Sequence, residues 1–183
     1  MKTPRSTLLA LALSLAALPL LASPSVDGIL APGEYANNIQ VGRGQFLVSW
    51  TIEGESITMA VQARTTGWVA IGFGVVGRAM NQADMVFGSA SPGKPGKALD
   101  CFSTGPTGPH PVDTKLGGAD SLAASTVVEK DGVTTMEFRR PLAATDRFDK
   151  PIAPGAPFIW AFGGSDAFES MHRAAGQGQL SGS

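Results

Sequence analysis

Thr65-Thr-Gly-Trp68-Val-Ala-Ile-Gly72-Phe-Gly-Val-Val-Gly77-Arg-Ala-Met80-Asn-Gln-Ala-Asp84-Met-Val-Phe-Gly88 decides the fold. It reads as an apolar strand, a glycine-punctuated turn, a short loop carrying Met80, and a second apolar strand. Alternation sends Trp68, Ala70 and Gly72 to one face and Val69, Ile71 and Phe73 to the other. Both faces are apolar, which predicts a strand deep in a stack of sheets. Gly72, Gly74 and Gly77 weaken a strand unless the backbone must bend or be closely approached. Met80 is then either a gap-filling core methionine or a soft sulfur ligand aimed into a pocket.

Outward from this stretch the pattern stays β. Phe46, Val48, Trp50 and Ile52 share one face of Gln45–Ile52. Ile57, Met59, Val61 and Ala63 share one face of Ser56–Ala63, and Glu53-Gly-Glu55 between them makes a hairpin. The Thr65–Gly88 stretch is expected to pair with this hairpin as its next strand. Short strands follow at Ala83–Gly88 and Ala98–Ser103. Asp131-Gly132 between Ser125–Lys130 and Val133–Arg140 is a type I′ hairpin signal. Pro157–Gly163 is a core strand, and Gln179–Gly182 a candidate final edge strand. Val26–Asn38 supplies turns around a first short strand. About nine short strands with regular turn signals and no sustained helical periodicity give an all-β, antiparallel β-sandwich.

Composition agrees. The chain has 183 residues, 23 Gly and 13 Pro, with 16% charged residues, which suits a turn-rich domain. Lys and Arg number 14 against 15 Asp and Glu, which excludes a nucleic-acid footprint. Lys2 and Arg5 precede an apolar run from Leu8 to Leu21, the pattern of a secretory signal over residues 1–23. Residues 24–183 then form a single domain, exported to a periplasmic or extracellular space, with no membrane insertion after signal removal. The lone Cys101 has no disulfide partner in the chain and is expected to be a buried thiol.

Few chemistries survive inspection. There is no Gly-x-Ser-x-Gly elbow, no His-Glu-x-x-His and no Walker loop. Two histidines exclude a tri-histidine metal site. His110, inside Gly-Pro-His-Pro, reads as an exposed loop histidine. Met80 and His172 remain: a thioether and an imidazole, each in a loop beside a core strand, able together to hold a low-spin haem iron. Cys-x-x-Cys-His is absent, so such a haem would be non-covalent. The residues alone do not separate this from a structural methionine and a surface histidine.

At this point the sequence resembles the DOMON domain family. The similar motifs are Gly67-Trp-Val-Ala-Ile-Gly-Phe73, then Met80 followed by Ala83-Asp-Met-Val-Phe-Gly88. Asp100-Cys-Phe-Ser-Thr-Gly105, Asp131 through Leu142 and Ile159-Trp-Ala-Phe-Gly-Gly-Ser-Asp166 continue the match, with His172 ahead of the last strand. The resemblance implies an immunoglobulin-like β-sandwich of the haem-binding type, similar to the cytochrome domain of cellobiose dehydrogenase. It also implies haem b on Met80 and His172 as iron ligands. Trp68, Phe73, Met85 and Phe87 are candidates to wall a porphyrin slot, with Phe168 beside them. Arg78 and Arg173 flank the ligands and are candidates to pair with propionates. The expected protein is a b-type cytochrome, a non-catalytic carrier of single electrons. Neither an oxidoreductase domain nor a membrane cytochrome follows in this sequence, so it is expected to use a separate redox partner protein. The second reading is a haem-free module that binds sugar or another small molecule.

Overall fold

In a computed structural model, residues 23–96 and 98–181 are described, so nearly all of the signal segment lies outside the described residues. Ten strands and one 3-10 turn follow in order. They are β1 (Asn37–Val41), β2 (Phe46–Glu53), β3 (Ser56–Ala63), β4 (Val69–Phe73), β5 (Asp84–Gly88), β6 (Ala98–Phe102), the turn Asp113–Leu116, β7 (Ala124–Lys130), β8 (Val133–Pro141), β9 (Pro157–Gly163) and β10 (His172–Gln179). They form two five-stranded sheets, ordered β1-β2-β3-β8-β7 and β10-β9-β4-β5-β6. Every pairing of strands is antiparallel. No helix among the described residues is long and apolar enough to cross a membrane.

The core lies between the sheets. Phe46, Val48 and Trp50 of β2, Ile57, Met59 and Val61 of β3, and Met136 and Phe138 of β8 meet Val69, Ile71 and Phe73 of β4 and Phe158 and Trp160 of β9. Burying each large apolar side chain contributes about 1.5–3 kcal/mol, and strict alternation is what gathers them on one face. At the Asp131-Gly132 turn both residues have positive φ (53° and 72°), as a type I′ connection requires.

Two expectations about strands are corrected. β4 does not pair with β3. It crosses to the second sheet, where it is central between β9 and β5. Gly67 makes the crossing feasible, because a Cβ there would lie 2.3 Å from the Ser165 backbone nitrogen. Trp68 N then donates to Ser165 O (3.2 Å), and Gly163 N to Trp68 O (2.9 Å). The last strand runs over His172–Gln179, seven residues earlier than expected, so His172 opens a strand and is not in a loop ahead of it.

One end of the sandwich is tied by charge. Arg140 on β8 and Asp84 on β5 are both fully buried, and Arg140 Nη1 donates to Asp84 Oδ2 at 2.8 Å, bridging the two sheets. Arg140 Nη2 reaches Asp149 Oδ1 at 3.3 Å. Burial pushes Asp84 up to about 6 despite the opposing pull of Arg140. Asp113, also buried, is pushed up to about 7 by burial and by the neighbouring Asp100 and Asp84 carboxylates.

Candidate functional site

The outer face of the second sheet carries a separate apolar cluster: Trp68, Ala70, Ala83, Met85, Phe87 and Cys101. These are the residues that alternation turns away from the main core. Ala70 and Gly72 on β4, Ala161 on β9 and Ala175 on β10 are small, so the sheet surface is hollow there. The hollow is the floor of a cavity of about 840 Å³, within the range of about 300–1,000 Å³ typical of cofactor and ligand sites. Gly72 is closely flanked, since a Cβ would meet Met85 Cγ at 3.0 Å and Ile159 Cγ1 at 3.1 Å. Any side chain at this position would push on both neighbours.

Three connections supply the walls. The β4–β5 loop brings Ala79 and Met80, the segment after β6 brings Pro106, Thr107 and His110, and the segment before β10 brings Glu169, Ser170 and Met171. Met80 sits in a closed loop. Val76 N donates to Asn81 O (2.9 Å), Asn81 N to Arg78 O (3.2 Å), and Ala83 N to Met80 O (3.0 Å). Ala79 and Gln82 on either side adopt positive φ (54° and 56°), which turns the chain sharply around the methionine. Met80 is half-buried.

His172 reaches the cavity through a β-bulge. Ala175 pairs with Ala161 and Ala174 with Phe162, but His172, not Arg173, pairs with Gly163. Strict alternation from Ala175 would turn Arg173 outward and His172 towards the core. The extra residue resets the phase, so His172 lines the same cavity as Ala175. The segment leading into the bulge is pinned to the floor. Trp68 Nε1 donates to Ser170 Oγ at 2.9 Å, and Ser165 Oγ lies 3.0 Å from the same hydroxyl. Gly163 leaves room for that indole, because a Cβ would lie 2.3 Å from Trp68 Nε1.

Met80 and His172 therefore line one cavity, with Trp68, Met85 and Phe87 on its floor. Phe73 does not join them. It is 1% exposed and packs in the core between the sheets, because it shares the face of Val69 and Ile71. Arg78 and Arg173 are exposed and are not part of the cavity wall; Arg173 lies over Gly164, where a Cβ would come within 2.2 Å of its Nε. Phe168 packs edge-on against Phe87, with centroids 4.9 Å apart.

His110 is the residue that sequence reasoning misplaced. It is half-buried on the cavity wall, stacked on Phe87 (5.2 Å, 17°) and edge-on to Phe168 (4.9 Å, 81°). The long loop folds back on β6, with Phe102 N donating to Pro111 O at 3.1 Å and Thr104 N to Pro109 O at 2.9 Å. Prolines on both sides of His110 were the available signal of a stiff segment. Cys101, buried in the outer cluster, has its thiol pKa pushed up by burial and then by nearby Asp100, which keeps it an inert thiol.

The donor set fits an iron porphyrin. A soft thioether and imidazoles face an apolar, partly enclosed space, and the Nδ1 of His110 is buried with no hydrogen-bond partner among the described residues.

Comparison with known proteins gives a family and a fold. The family model for the DOMON domain matches residues 42–163. The chain is 30% identical over 128 residues to DBH-like monooxygenase protein 1 of Homo sapiens, and 28% identical over 130 residues to that of Mus musculus. Each match takes in 69% of this chain and 20% of the relative, so the chain spans about a fifth of the length of these curated relatives. The crystal structure of the cytochrome b domain of pyranose dehydrogenase from Coprinopsis cinerea superposes with a TM-score of 0.58 at 13% identity. That likeness covers 78% of this chain and 79% of the other.

Proposed function

The chain belongs to the DOMON domain family, and on that premise we propose that it is an exported b-type cytochrome that carries single electrons. One observation carries the reading: Met80 and His172, distant in sequence, line the same apolar cavity on the outer face of one sheet. Met80 would offer its thioether and His172 its imidazole to the iron of a non-covalent haem b. When bound, haem supplies a one-electron ferric/ferrous couple.

The remaining roles belong to the chain itself. Trp68, Met85 and Phe87 would give the porphyrin face an apolar bed and keep water from it. With haem bound, the Met80 thioether would favour the ferrous state and so raise the potential relative to two imidazoles. The Trp68–Ser170 hydrogen bond and the bulge at Arg173 fix where His172 presents its ring. With both donors assigned to iron, outer-sphere electron exchange with a redox partner protein is the natural activity. The structural likeness to a cytochrome b domain supports this reading at the level of fold.

Haemin titration of the purified protein tests it. The expected outcome is stoichiometric uptake, with six-coordinate low-spin spectra in both oxidised and reduced forms. Absence of stoichiometric uptake would overturn it.

A further inference from the structure

We infer that His110 is a second imidazole donor to the group bound in this cavity, placed to take the position of the Met80 thioether. The inference rests on the haem reading above and adds a coordination state to it.

Three observations meet at this residue. His110 lies on the wall of the cavity that Met80 and His172 also line. Met80 Cε and His110 Cδ2 approach the same point, the position of a Cβ built on Gly108, at 3.6 Å and 3.8 Å. The thioether methyl and the imidazole therefore flank one point beside Gly108, each at ordinary contact distance from it. The ring's Nδ1 is shielded from solvent and bonded to nothing among the described residues, although buried polar atoms ordinarily have a partner. It lies across the ring from Cδ2, so the nitrogen next to the thioether side, and the one that would donate to the bound group, is Nε2.

Its surroundings hold the ring in place. Phe87 stacks beneath it and Phe168 meets it edge-on. The chain on either side is fastened to β6 and its continuation, since Thr104 N and Oγ1 both donate to Pro109 O (2.9 and 3.0 Å) and Phe102 N donates to Pro111 O. A histidine retained only for packing gains nothing from an unpaired nitrogen, and phenylalanine would stack as well. An imidazole beside the thioether has a use for its lone pair. Exchange breaks one iron–sulfur bond and forms one iron–nitrogen bond. The imidazole stays neutral, giving a lone pair from one nitrogen and keeping its proton on the other, so no electron or proton is gained or lost.

The test uses haem-loaded full-length protein with Met80→Ala, with Met80→Ala/His110→Ala, and with Met80→Ala/His110→Phe, which keeps the aromatic stack. Optical spectra and electron paramagnetic resonance of the ferric state report spin and ligand type. Met80→Ala is expected to remain low-spin with a bis-imidazole signature, and both double variants to become high-spin. Added free imidazole should return the double variants to low spin, which verifies that they are folded and hold haem. A Met80→Ala protein as high-spin as the double variants overturns the inference while leaving haem binding intact. Failure of the wild-type protein to take up haem is a different result, and it overturns the reading beneath.

Discussion

Replacing Arg140 by methionine removes the only guanidinium hydrogen-bonded to Asp84 and Asp149 among the described residues. Asp84 Oδ2 would keep one donor, Lys150 N at 2.7 Å, and Asp149 Oδ2 would keep those of Thr145 and Asp146. Asp84 Oδ1 already has none. All three side chains are essentially inaccessible to water. Breaking a buried pair of this kind by removing one partner costs about 3–5 kcal/mol, against about 5–15 kcal/mol for the whole stability of a domain. The loss should depend on pH. Burial holds Asp84 at about 6 in the folded protein, above its unfolded value. Its stabilising effect is therefore complete below the unfolded pKa and is lost as pH rises through about 6. Removing Arg140 raises the folded pKa further, since the guanidinium favours the ionised form. At about pH 5.5 Asp84 is largely neutral in both proteins, so the two should differ less than at about pH 7.5, by up to about 1.4 kcal/mol per unit of pKa change. Urea unfolding at both pH values, followed by tryptophan fluorescence, measures this. A loss under about 1 kcal/mol at both pH values, or a larger loss at the acidic one, would refute the account of the buried cluster.

His172→Ala should lose haem far more completely than Met80→Ala, because imidazole binds both oxidation states of iron while a thioether binds ferric iron weakly. Haem transfer to apomyoglobin gives the comparison, and equal retention by the two variants would argue against His172 as the stronger ligand. Trp68→Phe removes the indole donor to Ser170. It should cost about 0.5–1.5 kcal/mol and speed amide hydrogen exchange across Ser165–Met171, with unchanged exchange showing that the bond does not hold the segment.

The fold was legible wherever one face of a strand meets the core and the other does not. β2, β3 and β9 announce themselves through period-2 alternation, and Asp131-Gly132 names its own turn. β10 was hidden for a physical reason. His-Arg-Ala-Ala-Gly-Gln-Gly-Gln has no apolar alternation, because it is an edge strand and its outward residues face a cavity. Gly176 and Gly178 leave its inner face to the rings of Trp160 and Phe158, where a Cβ would lie 2.7 and 2.4 Å away. A bulge has no sequence signature of its own, so the phase that sends His172 outward was equally invisible. His110 was misplaced because the loop contacts that return it to β6 are hydrogen bonds to proline carbonyls, which no side-chain pattern encodes.

β4 links these observations. Its alternation assigned Phe73 to the core side with Val69 and Ile71, and Trp68, Ala70 and Gly72 to the other side. Two apolar faces on a central strand require two apolar environments. The first sheet provides one. On the other face the outer cluster of Trp68, Ala70, Met85 and Phe87 is itself buried, and half-buried Met80, His110 and Phe168 stand around a hollow floored by alanine and glycine. Beyond Trp68, the outward residues Ala70 and Gly72 are smaller than Val69, Ile71 and Phe73 on the inner face. Small residues on an apolar floor with sulfur and nitrogen donors nearby suit the flat, metal-centred ligand proposed above. The doubly apolar pattern of Trp68–Phe73 is thus the sequence trace of a strand buried on both faces, the outer one bordering the cavity.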